Sequence, residues 1–132
     1  MYFINKVGWV GIKERKVLFD RKYSRTQFYI PGGVVYDGEK PEDAVVREVR
    51  EELGVSLEPR TVKYFDIIEA QADGHPVGVV VKVRLFTGDY SGDMKPSNEI
   101  IELKWLTSAD EIAVTPVGVL LLRLLKQKNL ID

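Results

Sequence analysis

The sequence predicts a mixed α/β fold in which helices cover a β-sheet, and three observations support this fold class. Short segments rich in β-branched residues recur along the chain between turn residues, as strands usually do. Pro41–Leu53 carries apolar residues at helical spacing, and residues 116–128 form a second helical pattern. Because predicted strands lie on both sides of the first helix, we expect a mixed sheet flanked by helices.

The predicted strands alternate with short turns. A turn at residues 13–15 separates the first two strands, and Pro31 with two following glycines ends the third. Asp73 and Gly74 predict a hairpin connection later in the chain. The predicted strands are residues 7–12, 16–20, 28–30, 34–36, 62–70, 77–86 and 100–106.

The strongest helix prediction is Pro41–Leu53. Pro41 suits the first turn of a helix, because the N–H group that proline lacks would have no partner there. Gly54 follows at the position where a left-handed residue commonly ends a helix. Residues four apart form one apolar stripe, which consists of Val45, Val49 and Leu53. The last helix is expected to face the core with Leu121, Leu124 and Leu125.

The composition excludes several classes of protein. The chain has 132 residues, which suits one domain spanning residues 1–132. Its formal net charge of -1 argues against a protein that coats nucleic acid or an anionic membrane. The absence of cysteine removes disulfides, thiolate metal sites and a cysteine nucleophile. Since we find no signal-peptide pattern and no apolar run long enough to cross a bilayer, we expect a cytoplasmic protein.

The first predicted helix carries a cluster of glutamates. Glu48, Glu51 and Glu52 stand at positions i, i+3 and i+4, so they project from one face of the helix. Like charges at this spacing repel one another and destabilise a bare helix. Carboxylate oxygens are hard ligands that favour Mg²⁺, Mn²⁺ or Ca²⁺, and Mg²⁺ usually joins a few carboxylates to substrate phosphates. The cluster therefore indicates metal-assisted phosphate chemistry, with a solvated helix face as the alternative.

The glutamates belong to a longer pattern of fixed spacing. Gly33 is followed after five residues by Glu39, and after seven more by the run REVREELGV at residues 47–55. This pattern at residues 33–55 resembles the Nudix box at every fixed position. The resemblance implies a Nudix-type α/β/α sandwich, with a mixed sheet flanked by helices. It also implies Mg²⁺-dependent hydrolysis of a diphosphate bond, with Mn²⁺ able to substitute.

The same resemblance assigns roles to residues of the box and of one loop. Arg47 would orient a box carboxylate, with Glu51 at i+4 as the expected partner. The general base would be Glu51 or Glu52 in the box, or Glu99 in the loop before the last strand, and the sequence leaves these alternatives open. The metal ligands would be Glu48, Glu51 and Glu52, supported by Glu39 and by the backbone carbonyl of Gly33.

Substrate contacts are expected in the basic stretch before the box. Lys22 and Arg25 could hold the outer phosphates of a nucleotide. Phe28 or Tyr29 could face the substrate base. For the two basic residues and for Glu99, an ordinary exposed loop position remains the alternative.

The substrate itself is left open by the box. The short chain is most similar to the MutT-like members of the family, which implies hydrolysis of a nucleoside triphosphate to NMP and pyrophosphate. Residues 113–116 lack the asparagine that guanine-sanitising members use there, which argues against an oxidised guanine nucleotide. The alternatives are an ADP-ribose or nucleotide-sugar pyrophosphatase and a non-catalytic nucleotide sensor. We expect a small-molecule nucleotide as partner, without a nucleic acid polymer or a membrane, and we leave a homodimer open.

Overall fold

The computed structural model describes residues 2–72 and 74–132, and for residue 2 it describes the backbone. The helices are α1 (Pro41–Leu53) and α2 (Pro116–Gln127), and short 3₁₀ turns span Pro59–Thr61 and Ser108–Ala113. The strands are β1 (Tyr2–Trp9), β2 (Ile12–Lys13), β3 (Lys16–Lys22), β4 (Gly32–Val34), β5 (Ser56–Leu57), β6 (Lys63–Gln71), β7 (Val79–Thr87), β8 (Tyr90–Ser91) and β9 (Ile100–Leu106).

The central sheet is mixed, as the fold class requires. Its strand order is β4-β1-β7-β6, in which β1 and β7 run parallel and the other neighbours run antiparallel. A second, antiparallel sheet has the order β2-β3-β9, and β5 pairs with β8. The combination of mixed strands with flanking helices confirms the predicted α/β fold.

The two helices cover opposite faces of the central sheet. Because side chains alternate along a strand, Val7 and Trp9 of β1 point to one face and Ile4 points to the other. Val7 and Trp9 pack in the apolar cluster that contains the stripe of α1, whereas Ile4 packs against the cluster that contains α2. The residues that α2 buries most deeply are Leu121, Leu122 and Leu125, whereas the predicted Leu124 is only partly buried.

Helix α1 has the bounds that the sequence predicts. Pro41 occupies the first turn, and Gly54 ends the helix at φ 69°, in the left-handed region where glycine is unstrained. The N–H of Gly54 donates to the carbonyl of Arg50 at 3.1 Å. Local signals at both ends therefore determine where this helix starts and stops.

The strand predicted at residues 7–12 is wrong in its bounds. Strand β1 ends at Trp9, and the chain then crosses to the second sheet, where Ile12–Lys13 starts a hairpin with β3. The turn is confined to Glu14 and Arg15, whose φ values of 52° and 61° fit a two-residue hairpin turn. Arg15 is held there from the C-terminus, since its Nε donates to Asp132 at 2.6 Å.

The short strands predicted around the glycines are also displaced. Residues 28–30 form no strand in the described structure, because Phe28 and Tyr29 make only single bridges, to Val114 and to Asp20. A strand was predicted at residues 34–36, but the observed strand is Gly32–Val34. It therefore includes both glycines of the predicted turn. It forms there because its backbone pairs with β1.

The hairpin prediction for the middle of the chain is confirmed by the antiparallel pairing of β6 with β7. Asp73, one of the two residues on which that prediction rests, lies outside the described residues. Gly74 adopts φ 74°, as a tight turn requires. Among the described residues, neither helix is long and apolar enough to cross a membrane.

Candidate active site

Helix α1 presents its glutamates to a cavity of about 390 Å³. Glu48, Glu51 and Glu52 line this cavity together with Lys22 and Glu99. The side chain of Glu51 is 46% exposed and that of Glu48 is 13% exposed, while Glu52 is buried. The acidic wall therefore runs from solvent at Glu51 into the interior at Glu52.

At the inner end of this wall, Glu52 shares a buried site with Asp20 of β3. Oε1 of Glu52 accepts a hydrogen bond of 2.7 Å from the backbone N–H of Gly32. No N–H or hydroxyl group among the described residues donates to the carboxylate oxygens of Asp20, and the carboxyl of Glu52 is their hydrogen-bonding neighbour. Burial raises the pKa of Asp20 to about 7. Burial, followed by the charge of Asp20, raises the pKa of Glu52 to about 9.

Asp20 was not among the residues singled out from the sequence. A signal was present, since it follows the apolar run Val17, Leu18 and Phe19 on a strand where a charge is costly. What the sequence did not show is that this strand end lies beside Glu52.

Arg47 organises the outer part of the acidic wall. Its guanidinium donates to both oxygens of Glu39, at 2.9 and 3.0 Å, and to Oε1 of Glu48 at 2.8 Å. It also reaches Glu51 at 3.5 Å, which confirms the expected i,i+4 pair, although this contact is longer than those to Glu39 and Glu48. The loop before α1 brings Glu39 into a two-point match with the planar guanidinium, and this is the stronger geometry. These hydrogen bonds hold the pKa of Glu39 below its ordinary value.

Glu39 is not one of the residues that line the cavity, and it contacts the site through Arg47. One of its oxygens, Oε1, also accepts a hydrogen bond from the backbone N–H of Tyr36 at 3.1 Å. The centre of the Tyr36 ring lies 3.8 Å from the guanidinium carbon of Arg47, so the two side chains form a cation–π contact. Glu39 is thus placed to hold Arg47 and, through it, Glu48.

The two glycines of β4 allow the chain to pass close to these carboxylates. A β-carbon on Gly32, at φ 152°, would lie 2.0 Å from the carbonyl oxygen of Val7, so only glycine fits. A β-carbon on Gly33 would lie 2.5 to 2.7 Å from the carboxylate atoms of Glu48. The backbone of β4 and the carboxylate of Glu48 therefore share a space that a methyl group would fill.

Gly33→Ala is expected to lower kcat/KM by about tenfold or more, because the new methyl displaces the Glu48 carboxylate and a misplacement of about 1 Å is costly in an active site. The fold should survive, since the end of a flexible side chain can move. Steady-state kinetics and a melting curve test this. Gly88→Ala is the control, because its added methyl lies 3.3 Å from Val62, a contact that needs a shift of only a few tenths of an ångström, and Gly88 does not line the cavity. Wild-type kinetics in Gly33→Ala would show that the position of Glu48 is unimportant.

The loop before β9 closes the end of α1. The N–H of Ser97 donates to the carbonyl of Glu52 at 3.0 Å, and Nδ2 of Asn98 donates to the carbonyl of Glu51 at 2.7 Å. These bonds satisfy carbonyls that a helix end leaves without partners. They also bring the next residue, Glu99, to the cavity, where it pairs with Lys22 at 3.3 Å.

Only one of the three residues predicted to bind substrate lines the cavity. Lys22 lines the cavity, but Arg25 and Phe28 do not. Phe28 is only 6% exposed and packs in the core on the α2 side, so its predicted role at the substrate base is corrected. Its neighbour Tyr29 lines the cavity instead, because adjacent residues of an extended chain point to opposite sides. Arg25 is exposed and lies near the β6–β7 turn at Gly74.

The side chains around the cavity fit a hard divalent cation, although no three of them form a complete metal cage within residues 2–72 and 74–132. Arg47 holds Glu48, and the Gly32 N–H holds Glu52. The donors are carboxylates, which are the ligands that Mg²⁺ and Mn²⁺ prefer. The buried oxygens of Asp20 face the carboxyl of Glu52 and accept from no N–H or hydroxyl group among the described residues, as expected where a cation would balance the charge.

Comparison with known proteins agrees with this geometry. A family model described as "NUDIX domain" matches residues 6–123. The chain is 32% identical over 102 residues to the NAD-capped RNA hydrolase NudC of Vibrio vulnificus, across 76% of this chain and 36% of that protein. It is 31% identical over 96 residues to an ADP-ribose pyrophosphatase of Methanocaldococcus jannaschii, across 70% of this chain and 55% of that protein.

The chain therefore spans 36% to 55% of the length of these two relatives. A crystal structure of a MutT protein from Methanosarcina mazei Go1 has the same fold, with a TM-score of 0.73 at 23% identity over 97% of this chain and 96% of that one. Because the family model covers most of the chain and the box glutamates line one cavity, the chain belongs to the Nudix hydrolase family.

Proposed function

We propose that this chain is a Mg²⁺-dependent pyrophosphohydrolase that cleaves a nucleoside triphosphate into NMP and pyrophosphate. The observation that carries the proposal is one cavity that holds both the helix glutamates and lysine side chains. Carboxylates can hold a divalent ion there, and lysines can hold phosphate oxygens beside it. We further propose a small-molecule nucleotide as the partner and the cytoplasm as the location.

Mg²⁺, or Mn²⁺ in its place, would be held by Glu48, Glu51 and Glu52, with support from the Gly33 carbonyl and from Glu39. Such an ion supplies charge neutralisation at the diphosphate oxygens and activates the attacking water. The other parts of the mechanism belong to the side chains of the protein.

Those side chains divide into positioning groups and a proton acceptor. Arg47 fixes the Glu48 carboxylate through a 2.8 Å hydrogen bond, and Glu39 fixes Arg47. The proton of the attacking water passes to a carboxylate oxygen, for which Glu51, Glu52 and Glu99 remain the candidates. Lys22 would bind phosphate oxygens, although in the protein alone it is paired with Glu99.

A substrate panel tests the proposal directly. We expect NMP and pyrophosphate from a nucleoside triphosphate in Mg²⁺, and a loss of turnover in EDTA. The panel should include dNTPs, ADP-ribose, NAD and nucleotide sugars, with both products identified. Preferred cleavage of ADP-ribose would favour the activity for which the Methanocaldococcus jannaschii relative is named. Binding without cleavage of any compound, at several metal concentrations, would favour a sensor and contradict the proposal.

Glu48→Gln should lower turnover by roughly 10²-fold or more, because it removes one carboxylate charge from the metal site. Glu42→Gln is the matched control, since Glu42 lies exposed in the first turn of the same helix. Equal activity of the two variants would remove Glu48 from the site.

A further inference from the structure

One lysine lies in the floor of the cavity, in surroundings where a charge is unusual. Lys6 stands in the middle of β1, opposite Val83 of β7. Side chains alternate along a strand, so Lys6 shares its face with Ile4, and Val81 lies beside Ile4 on that face. All four residues line the cavity. Lys6 is therefore a half-buried cation that rises from an otherwise aliphatic surface.

The two lysines of the cavity differ in their partners. Lys22 is paired with Glu99 at 3.3 Å. Lys6 makes no hydrogen bond or ion pair with any residue in the ranges 2–72 and 74–132. Nearby, the carboxylate of Glu48 is already bound to Arg47, and Glu52 accepts its bond from Gly32. The ammonium group of Lys6 thus has its hydrogen-bonding capacity available to a ligand in the cavity.

An unpaired ammonium group in a half-buried position is costly to the fold. Burial lowers the pKa of Lys6, as does the charge of Lys22, and these effects outweigh the opposite influence of the Glu52 and Glu48 carboxylates. A methionine of similar length would pack on this aliphatic floor without that cost. An anionic ligand in the cavity would supply the hydrogen-bond acceptors that this ammonium group lacks among the described residues.

We propose that Lys6 is a phosphate-binding residue that, with Lys22, makes the cavity selective for a nucleoside triphosphate over nucleotides with fewer phosphates. The inference rests on the proposed function for the identity of the substrate. The glutamates with their metal ion can neutralise the diphosphate that is cut. A triphosphate brings one more charged group, and Lys6 is the cation of the cavity that has no protein partner among the described residues.

Lys6→Met and Lys6→Arg test this inference through binding rather than turnover. The probe is a non-hydrolysable nucleoside triphosphate analogue with Mg²⁺, and the matching NMP serves as the reference ligand. In Lys6→Met, the Kd of the triphosphate analogue should rise about 10- to 100-fold, the usual range for a lost charged hydrogen bond. The Kd of the NMP should change by less than about threefold. Lys6→Arg should recover part of the triphosphate affinity because it keeps the charge.

Lys63→Met is the matched control, because Lys63 lies exposed on β6 and does not line the cavity. The melting temperature of Lys6→Met should equal or exceed that of the wild type, since a desolvated charge has been removed. An unchanged Kd for the triphosphate analogue would overturn the inference. An equal loss for the triphosphate and the NMP would also overturn it, because Lys6 would then contact the nucleoside or its first phosphate.

The Lys6 binding experiment and the substrate panel can succeed or fail independently of each other. If no triphosphate is hydrolysed but Lys6→Met still weakens binding of the analogue, the proposed activity fails and the phosphate-binding role of Lys6 stands. If triphosphates are hydrolysed and Lys6→Met binds them like the wild type, the activity stands and the role of Lys6 is refuted.

Discussion

Glu52→Gln is expected to lower kcat by about 10²- to 10⁴-fold, the range for removal of a carboxylate that acts on the proton or on the metal ion. The amide is nearly the same shape, and its carbonyl can still accept the hydrogen bond that Gly32 donates to Glu52 at 2.7 Å. The fold should therefore remain intact, and the loss should appear in turnover. Single-turnover kinetics in saturating Mg²⁺ measure it.

The control for this variant is again Glu42→Gln on the exposed side of α1, which should keep wild-type kinetics. The melting temperature separates a catalytic effect from a folding effect, because Gln at position 52 removes a buried ionisable group and should not destabilise the protein. Should Glu52→Gln retain a third or more of the wild-type kcat, the mechanism proposed for this family member would be wrong.

Metal-free protein is expected to lose stability as the pH rises from about 4 to about 9. In the folded state the pKa of Asp20 is raised from 3.8 to about 7, and that of Glu52 is raised from 4.5 to about 9. Between the ordinary and the raised values the folded chain holds protons that the unfolded chain has released. The contribution of these two groups to the free energy of unfolding is therefore highest below about pH 4. It decreases as the pH rises towards and through their folded-state pKa values.

The decrease should be at least about 1–2 kcal/mol, or roughly 5 °C in melting temperature, given 1.36 kcal/mol for each unit of pKa difference. Melting curves in EDTA across this pH range measure it. Asp20→Asn should flatten the dependence, because one member of the buried pair no longer ionises. Adding Mg²⁺ should stabilise the wild type more at high pH, where protons no longer compete for the carboxylates. An equal slope in wild type and Asp20→Asn would contradict the account of this pair.

Much of the site was predictable because its signals are local. Helix α1 begins at Pro41 and ends at Leu53 as predicted, since the proline, the apolar stripe and Gly54 all lie within one continuous segment. For the same reason, the spacing of Glu48, Glu51 and Glu52 was enough to place them on one wall. The pairing of β6 with β7 also follows from neighbouring segments.

Contacts between distant segments were not predictable in this way. The Ser56–Leu57 strand pairs with Tyr90–Ser91, but two-residue strands carry no periodicity. Arg47 pairs more closely with Glu39 than with the predicted Glu51, because the loop before α1 folds back onto the helix. Phe28 was assigned to the substrate although it belongs to the core, since an aromatic residue in a short extended segment suits either face.

The sequence by itself determined the family, the acidic helix face and the class of metal that such a face can hold. The tertiary structure alone decided that Asp20 lies beside Glu52 and that Lys6 rises into the cavity without a partner among the described residues. The physical reason is desolvation. The energy of a charge depends on how much water and which other charges surround it, and these are set by segments far apart in the chain.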